Sequence, residues 1–178
     1  MKFKHVVIQS LAAVEPPIRV TSKEIEEKLQ PTLERLGVRD DLLEEVSGIG
    51  ARRFWEKGTS PSDAATLAAE KALDKSGIDR QKVGVIINTS VCRDYLEPST
   101  ACIVHGNLDL NENCLNFDVG NACLAFMNGM DIAARMIERA EVDYALVVDG
   151  ESSRPITEAT IERMLDEDIS EEQFRAEF

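Results

Sequence analysis

Residues 114–137 read CLNFDVGNACLAFMNGMDIAARMI, and the architecture follows from this stretch. Its first six residues, 114–119, have the apolar character of a strand. After Gly120 the pattern changes, and the residues from Ala122 to about Arg139 predict a long helix. A strand that passes through a tight turn directly into a helix is a building unit of α/β sheets.

Two further apolar runs, 83–89 (VGVIINT) and 143–149 (DYALVVD), predict buried strands of the parallel type. Helices are predicted between them, at 98–108 and after the Ser60-Pro61-Ser62-Asp63 cap. Strands that alternate with helices predict an α/β fold with helices on both faces of a mostly parallel sheet.

The flanking segments carry weaker patterns. Phe3–Leu11 predicts a first strand, and the capping box Thr21-x-x-Glu24 begins a helix that ends at Gly37 and is kinked or split by Pro31. Short helices are predicted at 41–46, 157–165 and 170–176.

The predicted helix at 122–137 is apolar or small around nearly its whole circumference, interrupted chiefly by Asn128, Asp131 and Arg135. A helix of this composition belongs in the interior of a larger body. We therefore expect a buried central helix and a large partner surface that 178 residues cannot supply alone.

Composition excludes several classes of protein. The 178 residues carry 33 acidic and 20 basic side chains, a net charge of −13, which argues against binding to nucleic acid or to an anionic membrane. No apolar run is long enough to span a bilayer, and no signal-peptide pattern follows Met1. The 4 Cys show no metal-ligand spacing, so we expect no metal, reduced thiols and a cytoplasmic location.

Cys123 is the strongest candidate for chemistry, because it follows a strand and opens a helix. Unpaired N–H groups at a helix N-terminus stabilise a thiolate and can hold an oxyanion. A buried structural thiol is the alternative, and Asn121 and Ala125 exclude the G-x-C-x-G elbow of hydrolases. Cys102 and Cys114 are predicted core thiols, and Cys92 an inert loop thiol.

Other charged residues leave two interpretations open. Arg93, Asp94 and Glu97 follow a strand end, where open α/β sheets bind ligands; Glu97 is either a general base or a carboxylate at a helix start. Arg52 and Arg53 either bind a nucleotide phosphate or lie in a solvated turn. Neither His5 nor His105 is placed to complete a catalytic triad with Cys123.

The run 118–134 (DVGNACLAFMNGMDIAA) resembles the nucleophile segment of condensing enzymes of the thiolase superfamily, in particular the ketoacyl synthase III branch. Three further segments are similar to the OleA family: 21–37 (TSKEIEEKLQPTLERLG), 87–108 (INTSVCRDYLEPSTACIVHGNL) and 143–152 (DYALVVDGES). Together the matching segments run along essentially the whole chain.

This resemblance implies a mechanism and a place in olefin or β-lactone biosynthesis. Cys123 would take an acyl group from a long-chain acyl-CoA, and its backbone N–H would form part of an oxyanion hole. Glu97 matches a family glutamate that acts as base across a dimer interface. A second acyl-CoA would then condense without decarboxylation to give a β-keto acid. Acyl-CoA is the substrate, no cofactor is implied, and Arg52 and Arg53 are candidates for the CoA phosphates.

The resemblance also implies a partner. The family fold is a duplicated five-layer αβαβα body with the nucleophile in the first half and a catalytic His and Asn in the second. Residues 1–178 would form one thiolase-like N-terminal half. A separate chain is expected to supply the C-terminal half, in a heterodimer or a dimer of heterodimers. A piece of a one-chain enzyme, a non-catalytic subunit and a free-standing Cys hydrolase are the alternatives.

Overall fold

The computed structural model describes residues 2–39, 41–166 and 169–177, with only the backbone of Glu177. They form two compact units. The sheet unit contains the residues up to Val14 together with Gly58–Ser152, and the helical unit contains Glu15–Lys57 together with the residues from Ser153 onward. In chain order the elements are β1 (Ile18–Thr21), α1 (Ser22–Leu36), α2 (Leu42–Ser47), β2 (Ala51–Phe54), α3 (Pro61–Ser76), β3 (Val83–Asn88), α4 (Thr100–Asn107), β4 (Leu115–Asp118), α5 (Ala125–Glu138), β5 (Tyr144–Val148), α6 (Arg154–Met164) and α7 (Glu171–Glu177), with 3₁₀ turns at Arg80–Lys82 and Ala122–Leu124.

The sheet unit is built on a parallel sheet with the strand order β4-β3-β5. In the central strand, Ile86 lies opposite Asn116 of β4 and Leu146 of β5. Side chains of β3 alternate between two apolar layers, because successive residues of a strand point to opposite faces. The layer against α3 and α4 includes Ala65, Ala69, Leu73, Ile86, Val104, Leu108 and Val148. The layer against α5 includes Val85, Ile87, Phe117, Ala133, Met136, Ala145 and Val147.

Helix α5 packs on the sheet through small residues. Ala125, Gly129 and Ala133 are buried, and a Cβ at Gly129 would lie 2.8 Å from the Thr89 methyl carbon. The opposite side of the helix begins with Leu124 and Met127, which are 59% and 61% exposed. The helix is therefore covered on the sheet side. Its outer side begins with these two apolar residues and continues with the polar residues Asn128, Asp131 and Arg135.

The helical unit pairs β1 with β2 in antiparallel register, so that Ile18 lies opposite Phe54. Its core is formed by Ile25, Leu29, Leu33, Met164 and Phe174. The predicted capping box of Thr21 and Glu24 begins α1, and Gly37 ends it at φ 66°. Helix α1 continues through Pro31 and is not split there.

The prediction of a first strand at Phe3–Leu11 was wrong. No strand is assigned between residues 2 and 17, and Val7 and Ile8 are 78% and 69% exposed. The segment is held instead by the Lys4 and His5 N–H groups, which donate to the Glu138 carboxylate. A run of apolar residues becomes a strand only where a neighbouring strand supplies hydrogen-bond partners, and the described residues supply none here.

None of the helices in the described part of the chain is both long and apolar enough to cross a lipid bilayer.

Candidate active site

The three parallel strands end at one edge of the sheet, and the loops that follow them carry the candidate residues. Strand β3 leads into residues 89–99, β4 into residues 119–124 and β5 into residues 149–153. Ligands of open α/β sheets bind outside the carboxyl ends of the strands, so this edge is the expected position of a site.

Cys123 lies at this edge in the 3₁₀ turn that precedes α5, and it is exposed. Ala122 before it has φ 45°, a left-handed conformation that costs an L-residue about 1–3 kcal/mol. The Leu124 N–H donates to the Asn121 carbonyl at 3.0 Å. The Cys123 N–H has no protein acceptor among the described residues. A strained turn thus presents both the thiol and a free N–H donor at the start of a helix.

The turn before Cys123 is tied to its neighbours on both sides. The Asn121 side-chain amide donates to Asn128 Oδ1 at 2.7 Å, which joins the turn to α5. The guanidinium of Arg93 lies over Gly120, with Nη2 3.5 Å from the position a Cβ would take there. The loop after β3 therefore meets the Cys123 turn through Arg93, as the strand-end argument predicts.

Asp118 connects the strand before Cys123 to helix α4. Its carboxylate accepts the N–H groups of Thr100 and Ala101 at 3.1 and 2.8 Å, and the Asn88 side-chain amide at 3.2 Å. Carboxylates are stabilising at a helix N-terminus because they neutralise its unpaired N–H groups. This anchor was not predicted from the sequence, where Asp118 is simply the acidic residue of a strand end.

Glu97 stays at the surface of the same loop. It is exposed, and its peptide bond to Pro98 is cis. Helix α4 begins after the N-cap Ser99, whose side chain accepts from the Cys102 N–H, so Glu97 is not the cap of this helix. The surface position is compatible with a reach toward a neighbouring chain.

The two histidines take no part in a triad within the described structure. His105 Nε2 is hydrogen-bonded to the Asn111 carbonyl at 3.0 Å. His5 is exposed, and its backbone N–H donates to Glu138 at 2.9 Å. Neither imidazole is hydrogen-bonded to Cys123 within the described residues, in agreement with the expectation from the sequence.

Arg52 and Arg53 do not form one cationic patch. They are successive residues of β2, so their side chains leave opposite faces of the strand. Arg53 Nε lies 3.3 Å from the Glu15 carboxylate. Arg52 Nη1 donates to Ser22 Oγ at 2.9 Å, and Arg52 lines an apolar cavity of about 190 Å³ within the helical unit. Their assignment to CoA phosphates stays a prediction.

The remaining thiols differ in exposure. Cys114 is buried, which confirms its prediction as a core thiol. The same prediction for Cys102 was wrong, because Cys102 is exposed. Helix α4 buries Ala101 and Val104, whereas Cys102, the residue after Ala101, lies outside the buried face of the helix. No group of three or more metal-ligating side chains is found among the described residues.

Cys92 is half-buried in the loop after β3. Burial raises the pKa of its thiol, and the Glu151 carboxylate raises that pKa further through a hydrogen bond and its charge. Glu151 also accepts the N–H groups of Val91 and Cys92, at 2.6 and 3.1 Å. At a given pH Cys92 therefore holds less of the reactive thiolate than an unperturbed thiol.

We expect iodoacetamide at pH 8 to modify Cys92 more slowly than the exposed Cys102, by a factor of roughly five or more. A raised pKa keeps the thiol protonated to higher pH, so the difference should shrink as the pH increases. Glu151→Gln should accelerate the modification of Cys92 but not that of Cys102. A time course followed by peptide mass mapping measures both rates, and equal rates at pH 8 would contradict the assignment.

Several known proteins are similar to this chain in sequence and in structure. An acyl-CoA:acyl-CoA alkyltransferase from Xanthomonas campestris is 58% identical over 177 residues, which cover 99% of this chain and 52% of the relative. A crystal structure of Xanthomonas campestris OleA, a histidine-to-asparagine variant with cerulenin, matches with a TM-score of 0.96 over 98% of this chain and 53% of that chain. Over nearly its whole length the chain is homologous to about half of OleA. The α/β fold of the thiolase type is thereby confirmed.

More distant relatives extend the same relationship. A β-ketoacyl-acyl-carrier-protein synthase III from Clostridium tetani is 33% identical over 148 residues, 83% of this chain and 42% of the relative. No protein-family model matches. The chain spans about half the length of the curated OleA and synthase III relatives it matches.

Proposed function

We propose that this chain is the nucleophile-bearing subunit of a heteromeric enzyme that condenses two long-chain acyl-CoA molecules to a β-keto acid. The observation that carries the proposal is the position of Cys123. Its exposed thiol and the free Cys123 N–H are presented by a strained turn at the carboxyl edge of the sheet. The relative with 58% identity is named an acyl-CoA:acyl-CoA alkyltransferase, and both features suit acyl transfer from CoA.

In the first half-reaction the Cys123 thiolate attacks the thioester carbonyl of an acyl-CoA. The oxygen becomes an oxyanion, which the Cys123 N–H and the start of α5 stabilise. The C–S bond to CoA then breaks, and CoA leaves as the thiolate and takes up a proton. The product is an acyl thioester on Cys123.

In the second half-reaction Glu97, contributed across the dimer interface by a neighbouring copy of this chain, removes the α-proton of a second acyl-CoA. The resulting carbanion attacks the thioester carbonyl, a C–C bond forms and the Cys123 thiolate is released. The immediate product is a β-ketoacyl-CoA. Water then hydrolyses its CoA thioester to give the β-keto acid and free CoA, so no cofactor is consumed.

The outer face of α5 begins with exposed apolar residues, which is consistent with a partner at this position. Leu124 and Met127 on this face lie directly after Cys123 and are exposed in this chain. We propose that a complementary chain covers this face and supplies the histidine and asparagine that the described residues do not place near Cys123. A guanidinium has five N–H donors, so Arg52 and Arg53 keep donors for CoA phosphates beyond their contacts in this chain.

The test combines this chain with the complementary chain and a long-chain acyl-CoA such as myristoyl-CoA. Intact mass spectrometry should show one acyl group on this chain, and extraction should yield a β-keto acid with two acyl chains. The chain without its partner serves as the control. A complex that forms but gives neither adduct nor condensed product would overturn the proposal, and product formed without an adduct on this chain would assign it a structural role.

A further inference from the structure

The loop after β3 ends in an exposed tip, Tyr95–Pro98, that carries Glu97. Tyr95 and Leu96 are 64% and 86% exposed. Glu97 makes no hydrogen bond or ion pair to any described residue. Nothing within the tip therefore fixes the direction of the Glu97 side chain, and its position depends on how the two ends of the tip are held.

Asp94 holds the first end of the tip. Its carboxylate accepts the hydroxyl of Ser62 at 2.6 Å and the Ser62 N–H at 3.2 Å. Ser62 is buried in the first turn of α3, so the negative charge of Asp94 also lies at the N-terminus of that helix. Charge-assisted bonds of this kind are stronger than bonds between neutral groups.

The same carboxylate closes the tip. Thr100 Oγ1 donates to Asp94 Oδ2 at 3.2 Å, across the six positions that separate the two residues. Thr100 is fully buried, and its backbone N–H is held separately by Asp118. Asp94 thus joins both ends of the tip to each other and to α3.

We propose that Asp94 is a positioning residue for the condensation, which holds the Tyr95–Pro98 tip so that Glu97 reaches the α-carbon of the second acyl-CoA. This inference rests on the proposed function, in which Glu97 is the base. The carboxylate accepts from all three of its partners at once, two of which are hydroxyls that could also accept. An amide in its place would turn an NH₂ group toward at least one of them, so that a hydroxyl would have to reverse from donor to acceptor and a charge-assisted bond would be lost.

The first test is Asp94→Asn in the assembled two-chain enzyme, with the two half-reactions measured separately. Acylation of Cys123 in a single turnover, followed by intact mass, should stay within about twofold, because it does not need Glu97. The kcat for condensation should fall about 10- to 100-fold with KM nearly unchanged, as expected for a misplaced catalytic group. Asp74→Asn, on the exposed surface of α3, makes the same charge change and should alter neither rate.

Two variants at Thr100 test the single bond between Thr100 and Asp94 and control for misfolding. Thr100→Val keeps the shape of the side chain but loses the hydroxyl that bonds Asp94, and Thr100→Ser keeps the hydroxyl. Condensation should be slower in the valine variant and close to normal in the serine variant. Hydrogen exchange of the 92–99 peptide in the full chain should become faster in the valine variant only.

Glu97→Gln separates failure of the inference from failure of the proposed function. If Glu97→Gln slows condensation and Asp94→Asn does not, the positioning role alone is overturned. A variant at Asp94 that loses acylation and condensation in equal proportion would also overturn it, since that is the behaviour of a purely structural residue. If Glu97→Gln leaves condensation unchanged, the assigned base is wrong and the positioning role falls with it.

Discussion

Cys123→Ala is expected to abolish the acyl adduct on this chain and to lower the rate of condensation by at least about 10⁴-fold. The thioester on Cys123 stores the first acyl group, so without the sulfur atom the carbanion of the second acyl-CoA has no acyl group held beside it to attack. Intact mass spectrometry of the chain and product analysis of the complex measure the two effects.

Cys102→Ala is the matched control, because Cys102 is also exposed but lies on α4. This variant should keep both the adduct and the product. Cys123→Ser should keep the shape of the turn yet lose nearly all activity, because an alcohol is a far weaker nucleophile than a thiolate. If the adduct persists in Cys123→Ala and disappears in Cys102→Ala, then Cys102 is the nucleophile and Cys123 is not.

Gly150→Ala is expected to lower the free energy of unfolding by roughly 3 kcal/mol or more, or to prevent folding of the sheet unit. A Cβ at Gly150 would lie 2.1 Å from the Pro61 carbonyl oxygen and 2.5 Å from the Ala65 nitrogen. Both are backbone atoms of α3 and cannot rotate away. Urea denaturation followed by circular dichroism measures the loss.

Gly106→Ala provides the opposite case. Gly106 lies within α4, and an added Cβ would meet nothing within 4 Å. Alanine is favoured over glycine in a helix, so this variant should gain up to about 1 kcal/mol. Equal losses of stability in the two variants would show that the close contact at Gly150 is not the cause.

The parallel sheet was predictable because each of its strands and helix caps is marked by a pattern of neighbouring residues. The apolar runs that became β3 and β5, and the Ser60 cap that begins α3, each carry their pattern within a few residues. Strands β1 and β2 were not predicted, because each has only 4 residues: the alternation in IRVT is too short to stand out, and ARRF has none. Their pairing joins residues at least 30 positions apart, which a local pattern cannot record.

The site was predictable to a similar degree. Cys123 was identified because a strand, a turn and a helix meet there, and each has a sequence pattern. The left-handed backbone of Ala122 was not predictable, since alanine seldom adopts it. The anchoring roles of Asp94, Asp118 and Glu151 were also missed, because each carboxylate accepts backbone N–H groups of residues distant in sequence or side chains on another element.

For redesign of the surface charge, the acidic residues fall into two kinds: exposed carboxylates, and carboxylates that accept structural hydrogen bonds. The net charge of −13 invites neutralising substitutions to shift the isoelectric point, and exposed carboxylates such as Asp74 and Glu112 can be changed freely. Asp94, Asp118 and Glu151 instead accept hydrogen bonds that hold the loops to neighbouring segments. A recharging scheme that treated all 33 acidic side chains alike would loosen the loops around Cys123 while the sheet beneath them stayed intact.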